Sequence, residues 1–565
     1  MQEIIRCRNE LLKEQKDWML NYDNFDDTLL NEETLVLDGN INYGTPDPKT
    51  KISKVPCGGC GAHLHCKDPS IPGYLPSEIF KNSLKEGGAD LTALICQRCY
   101  FLKHHNIALD VQVTAEDYPK ILQTISSKEH AIIVLMVDLT DFPCSIWPGI
   151  ADIFYKKPII VVGNKVDLLP KDSPGYLQHI KNKLIENVKA YGFGTTRLID
   201  VLLISATTGY GIEKLITQLY HSWRFKGDVY LVGSTNVGKS SLFNALLQSD
   251  FCKSQAEDLI QRATTSIWPG TTLNLLKFPI AKPSGHKLEV RKRRLRELER
   301  LERHESALKE EQMLKTKDWK YSVLVGRIDR SVTKFDEETA NSFAVNPSPN
   351  APGRIQLGVN MKDPIYALSR WCYDTPGVVH SDHIVHLLTS EELFLTVPKV
   401  LIFPKTFILK PGESLFIAGL ARLDLLEGDN FIRLTVFCSR ELPISVCKSE
   451  EAQQFYEKYL GTEYLKVPSG GAQRLSKWPG LSEAKTFTVN GIDSKFSAQD
   501  VVLSNAGWIA ITGGRNETFK LKAWTPEKRG VHLRDCLLPQ AVNQRGPKMR
   551  SYPTYHLHEY YQEND

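Results

Sequence analysis

No apolar run in this sequence approaches the ~18–20 residues a helix needs to cross a hydrocarbon core. The longest candidates, Ala131 to Val137 and Pro158 to Val162, have the length of buried parallel strands. Cysteine is sparse, 12 in 565 residues, which excludes a disulfide scaffold. Several of those cysteines nonetheless stand in C-x-x-C pairs, the pattern of a metal in a reducing compartment. Neither sign of charge dominates, since 70 Lys and Arg face 66 Asp and Glu for a net +4, so any nucleic-acid-binding surface has to be local. Residues 1–50 have no apolar signal region. They also lack the acid-poor character of an organelle transit peptide, because Asp23, Asp26, Asp27, Glu32 and Glu33 fall there. A dinucleotide G-x-G-x-x-G unit and recognisable haem or flavin motifs are missing as well, so no haem or flavin is expected. What remains is ordinary globular composition, 42% apolar and 24% charged, at a length that suggests ~3–4 domains.

The chain is organised around Gly233-Ser234-Thr235-Asn236-Val237-Gly238-Lys239-Ser240, which matches G-x-x-x-x-G-K-[ST]. The apolar run Val229–Val232 leads into it, and the helix-forming stretch from Ser241 to Leu247 follows, which is the strand–loop–helix context the motif requires. Its glycines let backbone N–H groups close around phosphates. Lys239 is placed to reach the terminal phosphates, and the Ser240 hydroxyl to hold Mg²⁺.

Upstream, Cys57-Gly58-Gly59-Cys60 and Cys96-Gln97-Arg98-Cys99 form two tight thiolate turns that together complete a tetrahedral Zn²⁺ site. A redox C-x-x-C is the competing reading, and the presence of two such pairs argues against it. Cys66, His63 and His65 are the alternative ligands, and they read as bystanders because four sulfurs already suffice.

Between the cysteines and the phosphate loop lies an α/β segment. The strand Pro158–Val162 ends in Asn164-Lys165-Val166-Asp167, the N-K-x-D guanine signature. Asp167 would accept from the guanine N1–H and exocyclic amine. Lys165 would cover the base, and Asn164 would tie this loop to the phosphate loop. Adenine offers no matching donors, and unpaired buried polar groups make that rejection steep. A third strand, Leu198 to Ile204, ends in Ser205-Ala206, whose backbone N–H would face the guanine O6. After the phosphate loop come Pro269-Gly270-Thr271-Thr272 and Asp374-Thr375-Pro376-Gly377. Thr272, with Thr271 as the alternative, is the expected switch threonine on Mg²⁺. Asp374 is expected to hold the Mg²⁺ shell and the Gly377 N–H to meet the γ-phosphate. A second D-x-P-G, Asp172 to Gly175, has no strand of its own and reads as a turn. The base-reading loops thus precede the phosphate loop, an inverted order that still permits a complete sheet.

The other segments carry less chemistry. Residues 1–50 are a charged lead-in, 51–106 the cysteine segment and 107–395 the nucleotide-binding domain. Within the last, residues 283–320 are a charged helical insertion containing Arg291-Lys292-Arg293-Arg294, read as a solvated helix with i,i+4 pairs or as a contact for RNA or an acidic partner. Residues 396–565 alternate short apolar runs with Pro and Gly turns, a mainly β domain. The strand before Asp374 is expected to run from Ala367 to Tyr373.

The set resembles the YqeH-type circularly permuted GTPases, a family that includes mitochondrial nitric oxide-associated protein 1 and plastid relatives. The resemblance spans about Cys57 to Val542. It includes both cysteine pairs, Val137-Asp138-Leu139-Thr140-Asp141-Phe142, Ala418-Gly419-Leu420-Ala421-Arg422-Leu423-Asp424 and Ser504-Asn505-Ala506-Gly507-Trp508-Ile509. Pro143-Cys144-Ser145 departs from the family's usual Asn-Gly-Ser at that point. The resemblance implies a zinc finger, a permuted α/β GTPase domain using GTP/GDP and Mg²⁺, and a C-terminal RNA-binding-like β domain. It also implies a role in ribosome assembly and translation, with ribosomal RNA or a small-subunit precursor as partner, in the mitochondrion. Contact with a membrane surface is left open. Val378 stands where Ras-like enzymes orient water with Gln. Together with Asn236 this resembles the K⁺-dependent GTPases, in which Asn helps hold K⁺ at the place of an arginine finger. The alternative is a GTP-sensing RNA- or ribosome-binding module whose hydrolysis is incidental. A nitric-oxide-forming oxidoreductase, suggested by the family name alone, has no motif to support it.

Overall fold

A computed structural model describes residues 45–557 except 86–90, 92–93, 105–116, 195–196, 224–225, 258, 261, 267–269, 317–318, 332–362 and 379–381. The lead-in before residue 45 and Pro269 lie outside the described residues. The cysteine module contains α1 (Ser77–Lys85) and α2 (Gln97–His104), packed with Leu64, Phe80 and Leu94 around the four thiols.

The central sheet is made of β1 (Ala131–Asp138), β2 (Pro158–Asn164), β3 (Arg197–Leu203), β4 (Asp228–Val232), β5 (Leu276–Pro279) and β6 (Trp371–Asp374) in the order β3-β2-β1-β4-β6-β5. All neighbours are parallel except β5 on β6. Every residue of β1 is buried, which marks a strand covered on both faces. Its side chains alternate between two cores. Ile133, Leu135 and Val137 meet Ile180 and Leu184 of α3 (Tyr176–Val188). Ile132, Val134 and Met136 meet Leu215 of α4 (Ile212–Trp223) and Leu242 of α5 (Lys239–Leu247). Strands from before the phosphate loop fill one half of the sheet. Those from after it fill the other, and β4 lies between β1 and β6. The permuted order therefore leaves the sheet whole, with all the loops of interest at its carboxyl edge, where α/β ligands bind.

Two expectations need correction. The predicted strand from Ala367 is much shorter. Asp363 caps a helical turn over Pro364–Ala367, and pairing begins at Trp371, because Pro364 suits a first helical position and Asp363 accepts from the Ile365 N–H. The insertion is a 32-residue helix, α6 (Gly285–Thr316), with the expected i,i+4 pairs Glu299–Arg303 and Glu311–Lys315. Its basic run is not fully solvated, however. Arg291 is buried against Glu213 and Asp250, and Arg294 bonds the same two carboxylates at 2.7 and 3.1 Å. Burial of a guanidinium is costly without partners, and here the two carboxylates come from α4 and the turn after α5 rather than from the helix itself.

Beyond α7 (Ser390–Thr396), two five-stranded antiparallel sheets follow. Their strands are β7 (Lys405–Leu409), β8 (Glu413–Ile417), β9 (Ala421–Gly428), β10 (Ile432–Phe437), β11 (Ile444–Lys448), β12 (Ser482–Asn490), β13 (Gln499–Leu503), β14 (Gly507–Thr512), β15 (Thr518–Thr525) and β16 (Val531–Asp535). The order β16-β13-β14-β10-β7 faces β11-β8-β9-β15-β12. Val501, Ile509 and Ile511 point into the sandwich core. Val502, Trp508 and Ala510, one residue out of phase, join the core of the central sheet. Trp508 stacks on Phe437 at 4.6 Å. One sheet is thus covered by its partner on one face and by the α/β domain on the other.

Candidate functional site

Residues Gly233–Ser240 follow β4 directly, and α5 starts at Lys239. Gly238 has φ +94°, and a Cβ there would lie 2.3 Å from Asn164 Nδ2, so only glycine fits. Asn164 uses both ends of its amide. Nδ2 donates to the Val237 carbonyl at 2.7 Å, and Oδ1 accepts from the Ala206 N–H at 2.9 Å. Phosphate loop, N-K-x-D loop and Ser205-Ala206 are therefore joined through one buried side chain. The Ala206 N–H is already donated to Asn164, so reading a guanine O6 requires that bond to be shared or released. Asp167 is buried, and burial raises its carboxyl above the usual range while Ser205 opposes the rise. Lys165, at φ +68°, forms an ion pair with Asp138, a partner from the end of β1 that motif reading did not single out.

The switch side converges on β6. Asp374 is completely buried, and its Oδ2 accepts from the Ser240 hydroxyl at 2.7 Å and the Thr272 hydroxyl at 3.1 Å; the two hydroxyl oxygens are 2.9 Å apart. Adjacent ligands in an octahedron with ~2.1 Å metal–oxygen bonds lie ~3.0 Å apart, so these hard oxygens have a spacing that suits Mg²⁺. The other carboxylate oxygen, Oδ1, is buried without a hydrogen bond among the described residues. Burial lifts the Asp374 carboxyl to about 6 and lowers the Lys239 amine to about 8; each of the two charges opposes the shift of the other. Lys239 Nζ donates to the Ser234 carbonyl at 2.6 Å and the Gly233 carbonyl at 3.1 Å. A Cβ on Gly377 would come within 2.9 Å of Thr235 Cα and 3.1 Å of Lys239 Nζ, so the D-x-P-G turn can press on the phosphate loop only as glycine. Next to it the Thr235 N–H donates to the Val378 carbonyl at 2.9 Å.

These residues share a cleft of ≈ 330 Å³ lined by Asn164, Lys165, Asp167, Asn236, Gly238, Lys239, Ser240, Ser241, Thr271, Thr272 and Gly377, among others. Asn236 reaches it from a left-handed backbone, φ +60°. Ser205, Ser234, Val237 and Asp374 lie buried behind that lining and act through hydrogen bonds or packing. The Ser234 hydroxyl, for example, donates to the Ser145 carbonyl at 2.7 Å. Lys399, shortly before β7, also faces the cleft, and nothing in its sequence context marks it. Asp172 accepts from the Gln540 N–H at 2.8 Å, a contact to the C-terminal domain, and is not among the cleft-lining residues.

In the cysteine module, the sulfurs of Cys57, Cys60, Cys96 and Cys99 are buried and all within 4.8 Å of one another. The Cys57–Cys99 and Cys60–Cys96 pairs are 3.9 and 3.7 Å apart. Bonds of ~2.3 Å to a tetrahedral Zn²⁺ place sulfurs ~3.8 Å apart, so the set fits that ion. Cys66 is buried outside the cluster, and His65 Nε2 lies 3.2 Å from the Pro72 carbonyl. The module touches the switch. Arg98 Nη2 donates to the Gly270 carbonyl at 2.6 Å, and the Cys60 carbonyl accepts from the Leu273 and Asn274 N–H groups at 2.9 and 3.0 Å. Motif reading missed Arg98; its place between Cys96 and Cys99 was the available signal.

A family model described as 50S ribosome-binding GTPase matches residues 228–291, starting at β4, and one described as YqeH-like, C-terminal, matches 432–537. Nitric oxide-associated protein 1 of Mus musculus is 38% identical over 558 residues, covering 90% of this chain and 79% of that protein. The Homo sapiens protein of the same name is 36% identical, covering 91% and 79%. The uncharacterized protein YqeH of Bacillus subtilis is 29% identical over 488 residues, covering 85% and 98%. With a GTPase module whose base-reading half precedes its phosphate loop, and with relatives matched over most of their length, this chain belongs to the family of YqeH and nitric oxide-associated protein 1, the circularly permuted GTP-binding proteins.

Proposed function

We propose that this protein is a switch in ribosome assembly that hydrolyses GTP to GDP and phosphate, acts on ribosomal RNA or a small-subunit precursor in the mitochondrion, and is stimulated by K⁺. The observation that supports the reading most is the convergence of Asn164 and Asp167 with Lys239, Ser240, Thr272 and Gly377 on one cleft. Asp167 would select guanine. Lys239 and the loop N–H groups would hold the phosphates. Ser240, Thr272 and Asp374 would hold Mg²⁺, which supplies positive charge against the β- and γ-oxygens. Val378 is buried and apolar, so it cannot orient the attacking water. Asn236 lines the same cleft as Lys239, which supports the reading that it would help hold a cation there. A fixed charge at that point stabilises the transition state as an arginine finger does, an effect of ~10³–10⁵ in rate. Replacing K⁺ by Na⁺ should lower turnover steeply in the wild type and little in Asn236→Ala. Equal turnover in both salts removes the K⁺ element. The family supports the mitochondrial assignment, which organelle fractionation of the full chain tests.

The alternative, a GTP-sensing RNA- or ribosome-binding module with incidental hydrolysis, draws on a different observation. Val378 bonds the phosphate loop, and shortly after it Asp382 Oδ2 lies 2.9 Å from His532 Nε2 on β16. A change at the γ-phosphate thus has a short path to the β domain. Affinity for ribosomal RNA with a GTP analogue and with GDP separates the readings. A large difference that persists when hydrolysis is blocked favours the sensing module. Equal affinities count against it.

A further inference from the structure

Four thiolates would suffice for a structural zinc site, yet the backbone between and beside them is aimed at the switch segment. On one side of Thr272, Arg98 Nη2 donates to the Gly270 carbonyl at 2.6 Å and Nη1 reaches the Thr271 carbonyl at 3.5 Å. On the other side, the Cys60 carbonyl accepts from the N–H groups of both Leu273 and Asn274. A third contact lies further back, where the Thr264 N–H donates to the Gly59 carbonyl at 3.0 Å. A Cβ on Gly59 would sit 2.3 Å from Thr264 Oγ1, so the two segments touch without room for a side chain. Arg98 is 5% exposed, and among the described residues its hydrogen bonds run to these two carbonyls. A buried guanidinium held only by main-chain carbonyls is costly to strand, so departure of the switch would leave it unsatisfied.

We infer that the cysteine module is the clamp that sets the position of Thr272, with Arg98 as the positioning residue, so that occupancy of the thiolate site governs how well Mg²⁺ and the γ-phosphate are held. The inference rests on the reading of Thr272 as the Mg²⁺-bound switch threonine. It goes beyond that reading in assigning a catalytic-site function to the backbone of a zinc finger 172 residues away in the chain. The physical route is short. Thr272 Oγ1 can serve the Ser240–Asp374 oxygens only while its backbone is pinned on both sides. Groups that orient a metal ligand in this way are worth ~10–100-fold in metal affinity or activity.

The test uses the full-length protein and the variants Arg98→Ala and Arg98→Lys. Three quantities are measured: zinc per chain, Mg²⁺-dependent affinity for a non-hydrolysable GTP analogue beside affinity for GDP, and hydrogen exchange of the peptide spanning 270–276 against one from α3. For Arg98→Ala the expected result is unchanged GDP affinity, a ~10–100-fold loss in Mg²⁺-dependent analogue affinity and faster exchange confined to 270–276. Arg98→Lys should restore part of the loss, because it keeps the charge without the two-pronged fork. Unchanged exchange in 270–276 together with unchanged Mg²⁺ dependence overturns the inference, including in a variant that also sheds zinc. The underlying reading of the switch fails separately, if Thr272→Ala leaves Mg²⁺-dependent analogue affinity as it was.

Discussion

The guanine side and the switch side of the cleft are built differently. Asn164, Asp167 and Ser205 stand at the ends of neighbouring parallel strands, and one amide, that of Asn164, ties their loops to the phosphate loop. This half is held chiefly by the sheet, with one further bond from the Ile402 N–H to the Leu168 carbonyl at 2.9 Å. The switch side brings Thr272 to Asp374 across 102 residues of chain and Ser240 to Asp374 across 134. It is braced from outside by the cysteine module on Gly270–Asn274, and at Val378 it bonds the phosphate loop. On the proposed reading, the difference means that nucleotide identity would be read by a half set largely by the sheet, and nucleotide state by a half whose geometry depends more on its neighbours.

Breaking both halves at once should have the largest effect. Lys239→Ala removes the buried amine at their junction and should cut GTP hydrolysis by ~10²–10³ in a phosphate-release assay, the range for loss of a charge-stabilising donor. Asp167→Asn should break the guanine half alone. Discrimination against adenine nucleotides in calorimetry should fall by ~10² or more, because one of the two acceptors matched to guanine becomes a donor, while Mg²⁺ dependence stays at the wild-type level. Removing zinc by a chelator, or disabling its site by Cys60→Ser, should act on the other half alone. Mg²⁺-dependent analogue affinity should fall ~10–100-fold with guanine preference intact, and the cysteine module should lose protection from proteolysis, since metal binding and folding are linked. Loss of guanine preference on zinc removal would erase the distinction between the halves.

The effect with the least bearing on nucleotide binding concerns the seam with the β domain. Asp141 accepts from the Asn505 N–H at 3.3 Å and from the Ser504 hydroxyl at 3.2 Å. Burial first, and then neighbouring Asp138, push its carboxyl from the ordinary 3.8 up to about 7. The folded state therefore favours the neutral acid. Its contribution to stability is complete below pH ~4 and is lost as pH rises towards about 7. The thermal midpoint should fall across that window in the wild type, and Asp141→Asn should flatten this part of the profile without altering GTP affinity. An unchanged slope in the variant would remove Asp141 as the titrating group.

Legibility in the sequence follows the same division. The phosphate loop, N-K-x-D and the cysteine pairs could be read directly, because each needs its chemistry on adjacent residues of one turn. Asp374 and Thr272 were readable only as short motifs awaiting a partner, and the strand before Asp374 was drawn too long because Pro364 and Asp363 cap a helical turn there. The basic run at Arg291–Arg294 reads as a solvated face until Glu213 and Asp250 are known to cover part of it. Arg98 and Lys399 had no motif of their own, since their roles are set by what they touch.

Local order in the chain determined which turns can cradle phosphate, face a base or grip a metal, because those tasks need fixed spacing within a few residues. Tertiary structure decided which of these turns act together: that β1 and β6 flank β4, that the Thr272 hydroxyl reaches Asp374, and that a guanidinium between two cysteines bonds a carbonyl 172 residues on. Such meetings depend on the packing of the entire sheet and its covering layers, a property no short stretch of sequence contains.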